Sequence, residues 1–168
     1  CNFWMIGLFL KRQKFDNALE LLQSNLDLAN RELGKNHGET GRLLYQFGAY
    51  YDAVASYDEA IQYVLNSLDI ARSYMDSELR PEYVYDCLDY LCILHRQKGD
   101  FETSIAYGEN ALTYGNQVWE EQVKGATKKW GKHCFDFLMC CYNLAAAYDK
   151  MGNKEKQLYS LESAYQKL

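Results

Sequence analysis

The chain has 168 residues, enough for one domain, and its 48% hydrophobic content can supply a continuous apolar seam between helices. A single proline and a wealth of strong helix formers point to an all-α fold. The net charge of −5 argues against nucleic acid or an anionic membrane surface as the main partner.

Read in chain order, residues 2–13 and 15–33 form a first pair of helices, with Met5, Ile6, Phe9, Phe15, Ala18, Leu19, Leu22 and Leu26 at helical spacing. The apolar run from Phe3 to Leu10 is eight residues long, far short of the roughly 20 that span a membrane. Lys11 and Arg12 follow that run, the reverse of a signal peptide. A turn at Leu33-Gly34-Lys35-Asn36-His37 closes the pair. Helices over 40–54 and 57–75 come next. Leu44, Phe47, Gly48 and Tyr51 share one buried face, and Tyr57, Ala60, Ile61, Val64 and Leu68 share another, across a break at Ala55-Ser56. Gly48 and Ala60 are small where two helices of a hairpin come close.

A polar junction, Asp76 to Arg80, leads to Pro81, which suits a first helical turn. Helices over 82–98 and 101 to about 118 flank the turn Lys98-Gly99-Asp100. The stretch 117–133 breaks the pattern. It either extends the preceding helix by about three turns or protrudes as a charged loop. Its Trp119 and Trp130 make it a candidate partner contact, with Lys124, Lys128, Lys129 and Lys132 as a local basic cluster. Helices over 134–151 and 154–168 finish the chain. A start at Cys1 without methionine and a last helix shorter than its predecessors lead us to expect a piece of a longer protein.

The same order occurs four times, and the residue opening each second helix is Phe15, Tyr57, Phe101 and then Lys154, at spacings of 42, 44 and 53. This pattern resembles the tetratricopeptide repeat (TPR) family, whose common unit is about 34 residues. The longer spacing, the Gly34-Lys35-Asn36-His37 turn, its looser copy at Trp130-Gly131-Lys132-His133 and Pro81 resemble the kinesin-light-chain subclass. The resemblance implies a right-handed α-solenoid of about four helix-turn-helix repeats, over 1–38, 39–80, 81–133 (with the insertion at 117–133) and 134–168.

It further implies a concave groove lined by the first helices. Its slots fall at Arg42, Tyr45, Ala49 and Asp52, at Asp86, Asp89, Ile93 and Arg96, and at Tyr142, Ala146 and Asp149. Phe3 and Gly7 hold those slots in the first repeat, in place of the Lys or Arg with Asn that chaperone-binding members use for a C-terminal carboxylate. The groove is therefore acidic and aromatic, suited to a basic peptide or helix.

Enzymatic chemistry finds no support. His37, His95 and His133 fall in separate repeats, His95 stands where sister repeats carry Tyr51 and Tyr148, and no G-x-S-x-G, Walker loop or H-E-x-x-H occurs. Among the six cysteines, Cys87, Cys92, Cys140 and Cys141 sit at or beside buried helical slots, where they act as small hydrophobes and suit a reducing compartment. His133, Cys134, Cys140 and Cys141 lack the spacing of a zinc motif, so no metal or other cofactor is expected. The leading expectation is a non-enzymatic scaffold or adaptor that binds a protein or peptide, in an intracellular setting, cytoplasmic or cytoskeletal, cilia included. The alternatives are an architectural subunit of a large cytoskeletal or ciliary assembly, or the sensor domain of a peptide-regulated enzyme or transcription regulator.

Overall fold

The computed structural model describes residues 3–73, 82–123 and 131–165, with side chains described for all of these except 82, 117–123 and 131–136. Among the described residues every regular element is a helix: α1 Phe3–Lys11, α2 Phe15–Glu32, α3 Gly38–Ala53, α4 Tyr57–Ser73, α5 Glu82–Lys98, α6 Phe101–Val123, α7 Gly131–Lys150 and α8 Lys154–Tyr165. They form two compact units, Cys1–Arg80 with α1–α4 and Pro81–Leu168 with α5–α8.

Consecutive helices pair as hairpins, and all four hairpins turn in the same way. The backbone N–H groups of Lys14, Ser56, Asp100 and Asn153 donate to the carbonyls of Phe9, Tyr51, His95 and Tyr148 over 2.8–2.9 Å. This satisfies carbonyls that the helix end leaves orphaned, and it requires a left-handed residue one position earlier. That residue is Gln13 (φ 55°), Ala55 (φ 60°), Gly99 (φ 87°) or Gly152 (φ 69°). Asp100 and Asn153 then cap the following helix, their side chains accepting from the N–H of Thr103 at 3.2 Å and Lys156 at 3.1 Å.

Ala55 occupies the left-handed region at a steric cost of about 1–2 kcal/mol, whereas glycine would meet only its larger unfolded-state entropy, about 0.4–1 kcal/mol. Ala55→Gly is expected to stabilise the first unit by about 0.5–1 kcal/mol in urea unfolding. Ala106→Gly, exposed in the interior of α6, should instead cost about 1 kcal/mol. Equal losses at both sites would contradict the left-handed assignment.

Close packing of α3 on α4 follows a small residue. A Cβ on Gly48 would lie 2.5 Å from Val64 Cγ2 and 3.3 Å from the Ala60 carbonyl oxygen, so α3 meets α4 almost backbone to backbone. Phe47 stacks on Tyr63 at 5.0 Å, and Tyr51 stacks on the same ring at 5.2 Å, beside a core of Ile6, Leu22 and Phe47. In the second unit His95 stacks on Tyr107 at 5.3 Å, twelve residues on, as Tyr63 is from Tyr51. His95 is thus a packed aromatic, held also by Asp100 at 3.2 Å.

The Gly34–His37 turn is built as its composition implies. Gly34 has φ 94°, the His37 ring nitrogen Nδ1 accepts from the Glu39 N–H at 3.2 Å, and the Thr40 hydroxyl donates back to the Gly34 carbonyl at 2.9 Å. Its expected copy at 130–133 differs: Gly131, Lys132 and His133 form the first turn of α7, which begins three residues earlier than the apolar pattern indicated. The stretch 117–133 is likewise not one loop. α6 continues to Val123, past the expected end near 118, because Gln117 to Val123 hold no glycine or proline and four of them, Gln117, Glu120, Glu121 and Gln122, are good helix formers. Residues 124–130 and the Trp119 side chain lie outside the described residues, so the contact expected of Trp119 and Trp130 does too.

Candidate functional site

The expected groove positions fall at three-, four- and seven-residue steps, so each first helix carries its own set on one face. In the first unit these are Arg42, Tyr45, Ala49 and Asp52 on α3, all half-buried. Arg42 bonds Glu39 one turn back, Nη1 to Oε1 at 3.1 Å. With one cation and one anion, this face has no net charge among its slot residues.

The second unit concentrates the negative charge. Asp86 is exposed and Asp89 half-buried on α5, while Tyr142 and Asp149 are exposed on α7. The two helices touch here: Asn143 Nδ2 donates to Asp89 Oδ1 at 3.3 Å, fixing one carboxylate of the face. Tyr142 is 62% exposed, a large aromatic standing clear of the core. Arg96 ends the row half-buried, its Nε shielded from water and without a hydrogen-bond partner among the described residues.

Two features of this face escaped the sequence pattern. Asp149 is not a bare charge, because Lys154 Nζ lies 2.6 Å from its Oδ1. The hydrogen bond and charge of Lys154 hold the Asp149 carboxyl below its ordinary value. The signal was present, since Lys154 replaces the aromatic that opens the other second helices. Asn143 carried no such signal, its partner being 54 residues away.

Beneath Asp89 lies a group of thiols. Cys92, Cys140 and Cys141 are inaccessible to solvent, as is Cys87, and none of the four is in a disulfide. Burial, assisted by the Asp89 charge, pushes the Cys92 thiol up to about 11, the Cys141 thiol up to about 12, and the Cys140 thiol well above its ordinary range. Such thiols stay protonated and unreactive at neutral pH, in line with a packing role. No cluster able to hold a metal ion occurs among the described residues. Nor is any described helix long and apolar enough to cross a membrane.

A family model described as Tetratricopeptide repeat matches residues 2–73. Those residues belong to the tetratricopeptide repeat family. Beyond that span, the TPR architecture is supported by solved structures. The chain is similar to BtubC (BKLC) from P. vanneervenii, with a TM-score of 0.80 at 15% identity over 97% of this chain and 60% of that one. It is also similar to the nearly identical TPR-like repeats of a putative kinesin light chain from Podosopora anserina, with a TM-score of 0.56 at 15% identity over 98% of this chain and 92% of that one. A variant form of the latter gives the same values. Identity this low speaks to fold alone, and the fold is an all-α TPR solenoid. The chain spans 60% of the length of BtubC. No curated protein sequence matches it. TPR arrays serve generally as scaffolds for protein–protein interaction, and the architecture here is of that kind.

Proposed function

We propose that the chain is a non-enzymatic scaffold that binds a basic peptide or helix of a partner protein through the first-helix face of its second unit. The observation that carries this reading is the composition of the neighbouring helices α5 and α7: Asp86 and Asp89 on the first, the exposed ring of Tyr142 on the second, and an Asn143–Asp89 hydrogen bond joining the two. Carboxylates there would steer and orient a cationic segment, while an exposed tyrosine offers rigid apolar contact at small entropic cost. The corresponding face of α3 lacks this charge excess, which makes the second unit the stronger candidate. The buried thiols, none of them in a disulfide, are consistent with an intracellular, reducing setting.

The test is fluorescence anisotropy of a labelled amphipathic peptide of Lys and Leu, against a counterpart with Glu for Lys. Wild type is expected to prefer the basic peptide. Asp86→Lys/Asp89→Lys should weaken it by about tenfold or more, and Tyr142→Ala by several-fold. A preference for the acidic peptide, or indifference to the aspartate pair, would overturn the reading.

A further inference from the structure

Away from that face, the second unit contains a cleft of about 430 Å³ between α6 and α8, within the range typical of ligand sites. Phe137 and Leu144 of α7 line its apolar part, with Leu112. Tyr142 lies nearly opposite Leu144 around α7, so the cleft and the acidic face use different sides of that helix.

Much of the polar lining of the cleft is acceptor. The Thr113 hydroxyl donates to the Glu109 carbonyl at 2.9 Å, Ser160 to the Lys156 carbonyl at 2.9 Å, and Ser163 to the Tyr159 carbonyl at 2.8 Å. With each proton turned back into its own helix, the three hydroxyls present lone pairs. Asn116 Oδ1, also in the wall, is shielded from water and has no hydrogen-bond partner among the described residues. Glu109 adds a carboxylate that already accepts from the Tyr148 hydroxyl and, at 3.3 Å, from Lys156 Nζ. The Lys156 ammonium also lies 5.3 Å from the centre of the Tyr148 ring. The protein's own cation thus occupies the mouth, held by a carboxylate and an aromatic face, on a side chain 56% exposed to solvent.

We propose that this cleft is a receptor for a cationic side chain, arginine or lysine, of a partner polypeptide, with Lys156 as a tethered occupant of its mouth in the free state. The aliphatic stem of the incoming residue would lie along Leu112, Leu144 and Phe137. Its head would meet Glu109 and the hydroxyl acceptors after displacing Lys156, and Asn116 supplies a further acceptor once its amide turns. The site is independent of the Asp86 and Asp89 face.

The test uses the whole chain with Asp86→Lys/Asp89→Lys already introduced, which removes that face, and a labelled peptide of arginines spaced by Gly-Ser as probe. Leu112 and Leu144 methyl resonances should shift on addition of the peptide. Lys156→Met is expected to tighten binding about threefold by removing the competing cation, while Glu109→Gln and Asn116→Leu should each weaken it about fivefold or more. Glu109 is exposed, so the Gln variant reports on binding even if Asn116→Leu perturbs the fold. Weaker binding by Lys156→Met would mark an anion site and overturn the proposal. So would absence of binding, or indifference to Glu109→Gln.

Discussion

Raising the pH from 8 to about 10.5 is expected to destabilise the unit Pro81–Leu168 far more than the unit Cys1–Arg80. Cys92, Cys140 and Cys141 are fully buried in α5 and α7, and each thiol is raised from an ordinary 9.0, two of them to about 11 and about 12. Above pH 9 the unfolded chain therefore sheds protons that the fold retains, and stability falls with each further unit. The loss for each thiol ends only as pH passes its raised folded value. One thiol contributes about 1.4 kcal/mol per pH unit in this window, and three together about 4 kcal/mol. Set against a total of about 5–15 kcal/mol for a domain, the loss accumulated between about pH 9 and 10.5 is a large share of the stability. Tyr85 and Tyr148 act in the same direction, both held protonated chiefly by burial. The described residues of the first unit contain no cysteine, and Tyr63 there has a hydroxyl raised in the same direction. Hydrogen exchange followed unit by unit across pH 7–11 would show which opens first. In a Cys92→Ala/Cys140→Ala/Cys141→Ala variant the midpoint is lower at pH 8, but its dependence on pH should flatten. A variant whose profile runs parallel to wild type would remove the thiols from the account.

Much of the architecture was legible because repeats state the same physics several times. Gly99 and Gly152 mark left-handed turns by composition, and the turns at Gln13 and Ala55 follow only by register with them. His95 could be identified as packing from its place opposite Tyr51 and Tyr148, and it stacks accordingly. Boundaries were less legible where the pattern is apolar but uncapped. α7 starts at Gly131, taking Gly131, Lys132 and His133 into its first turn, where the sequence offered no cap to mark the boundary. The candidate site was legible as a set of positions and much less as a set of charges. Periodicity places Asp86, Asp89 and Asp149 on first-helix faces, but whether a carboxylate is paired depends on partners across a turn or on another helix. Lys154 neutralises Asp149 across a turn, and Asn143 reaches Asp89 from the neighbouring helix. The cleft above Leu144 was invisible for a further reason. Its acceptor character depends on where the hydroxyl protons of Thr113, Ser160 and Ser163 point, which no residue pattern encodes.

Gly48→Ala should destabilise the first unit by about 1–2 kcal/mol, although helix propensity alone would make it stabilising by about 1 kcal/mol. The sign is set by space. The new methyl would sit 2.5 Å from Val64 Cγ2 and 3.3 Å from the backbone oxygen of Ala60. Val64 is fully buried and β-branched, with few rotamers to retreat into, and a helix carbonyl cannot move without loosening α4. Gly48→Leu is accordingly expected to cost about 3 kcal/mol or more, near the upper end for overpacking. Gly7, on α1, supplies the internal contrast, for a Cβ there meets nothing within 4 Å. Gly7→Ala should follow propensity and stabilise, by up to about 1 kcal/mol. Opposite signs for one substitution in two first helices separate close approach from helix preference. A double-mutant cycle supplies the mechanism. Val64→Ala alone leaves a cavity and costs about 2 kcal/mol, but in the Gly48→Ala background it removes the atom that clashes. The pair should therefore be more stable than the sum of its single losses by about 1–2 kcal/mol in urea unfolding. Strict additivity would mean that α3 and α4 separate freely to admit the methyl. The small residue at 48 would then be dispensable to the hairpin, and the near backbone contact of α3 with α4 would not be what selects glycine there.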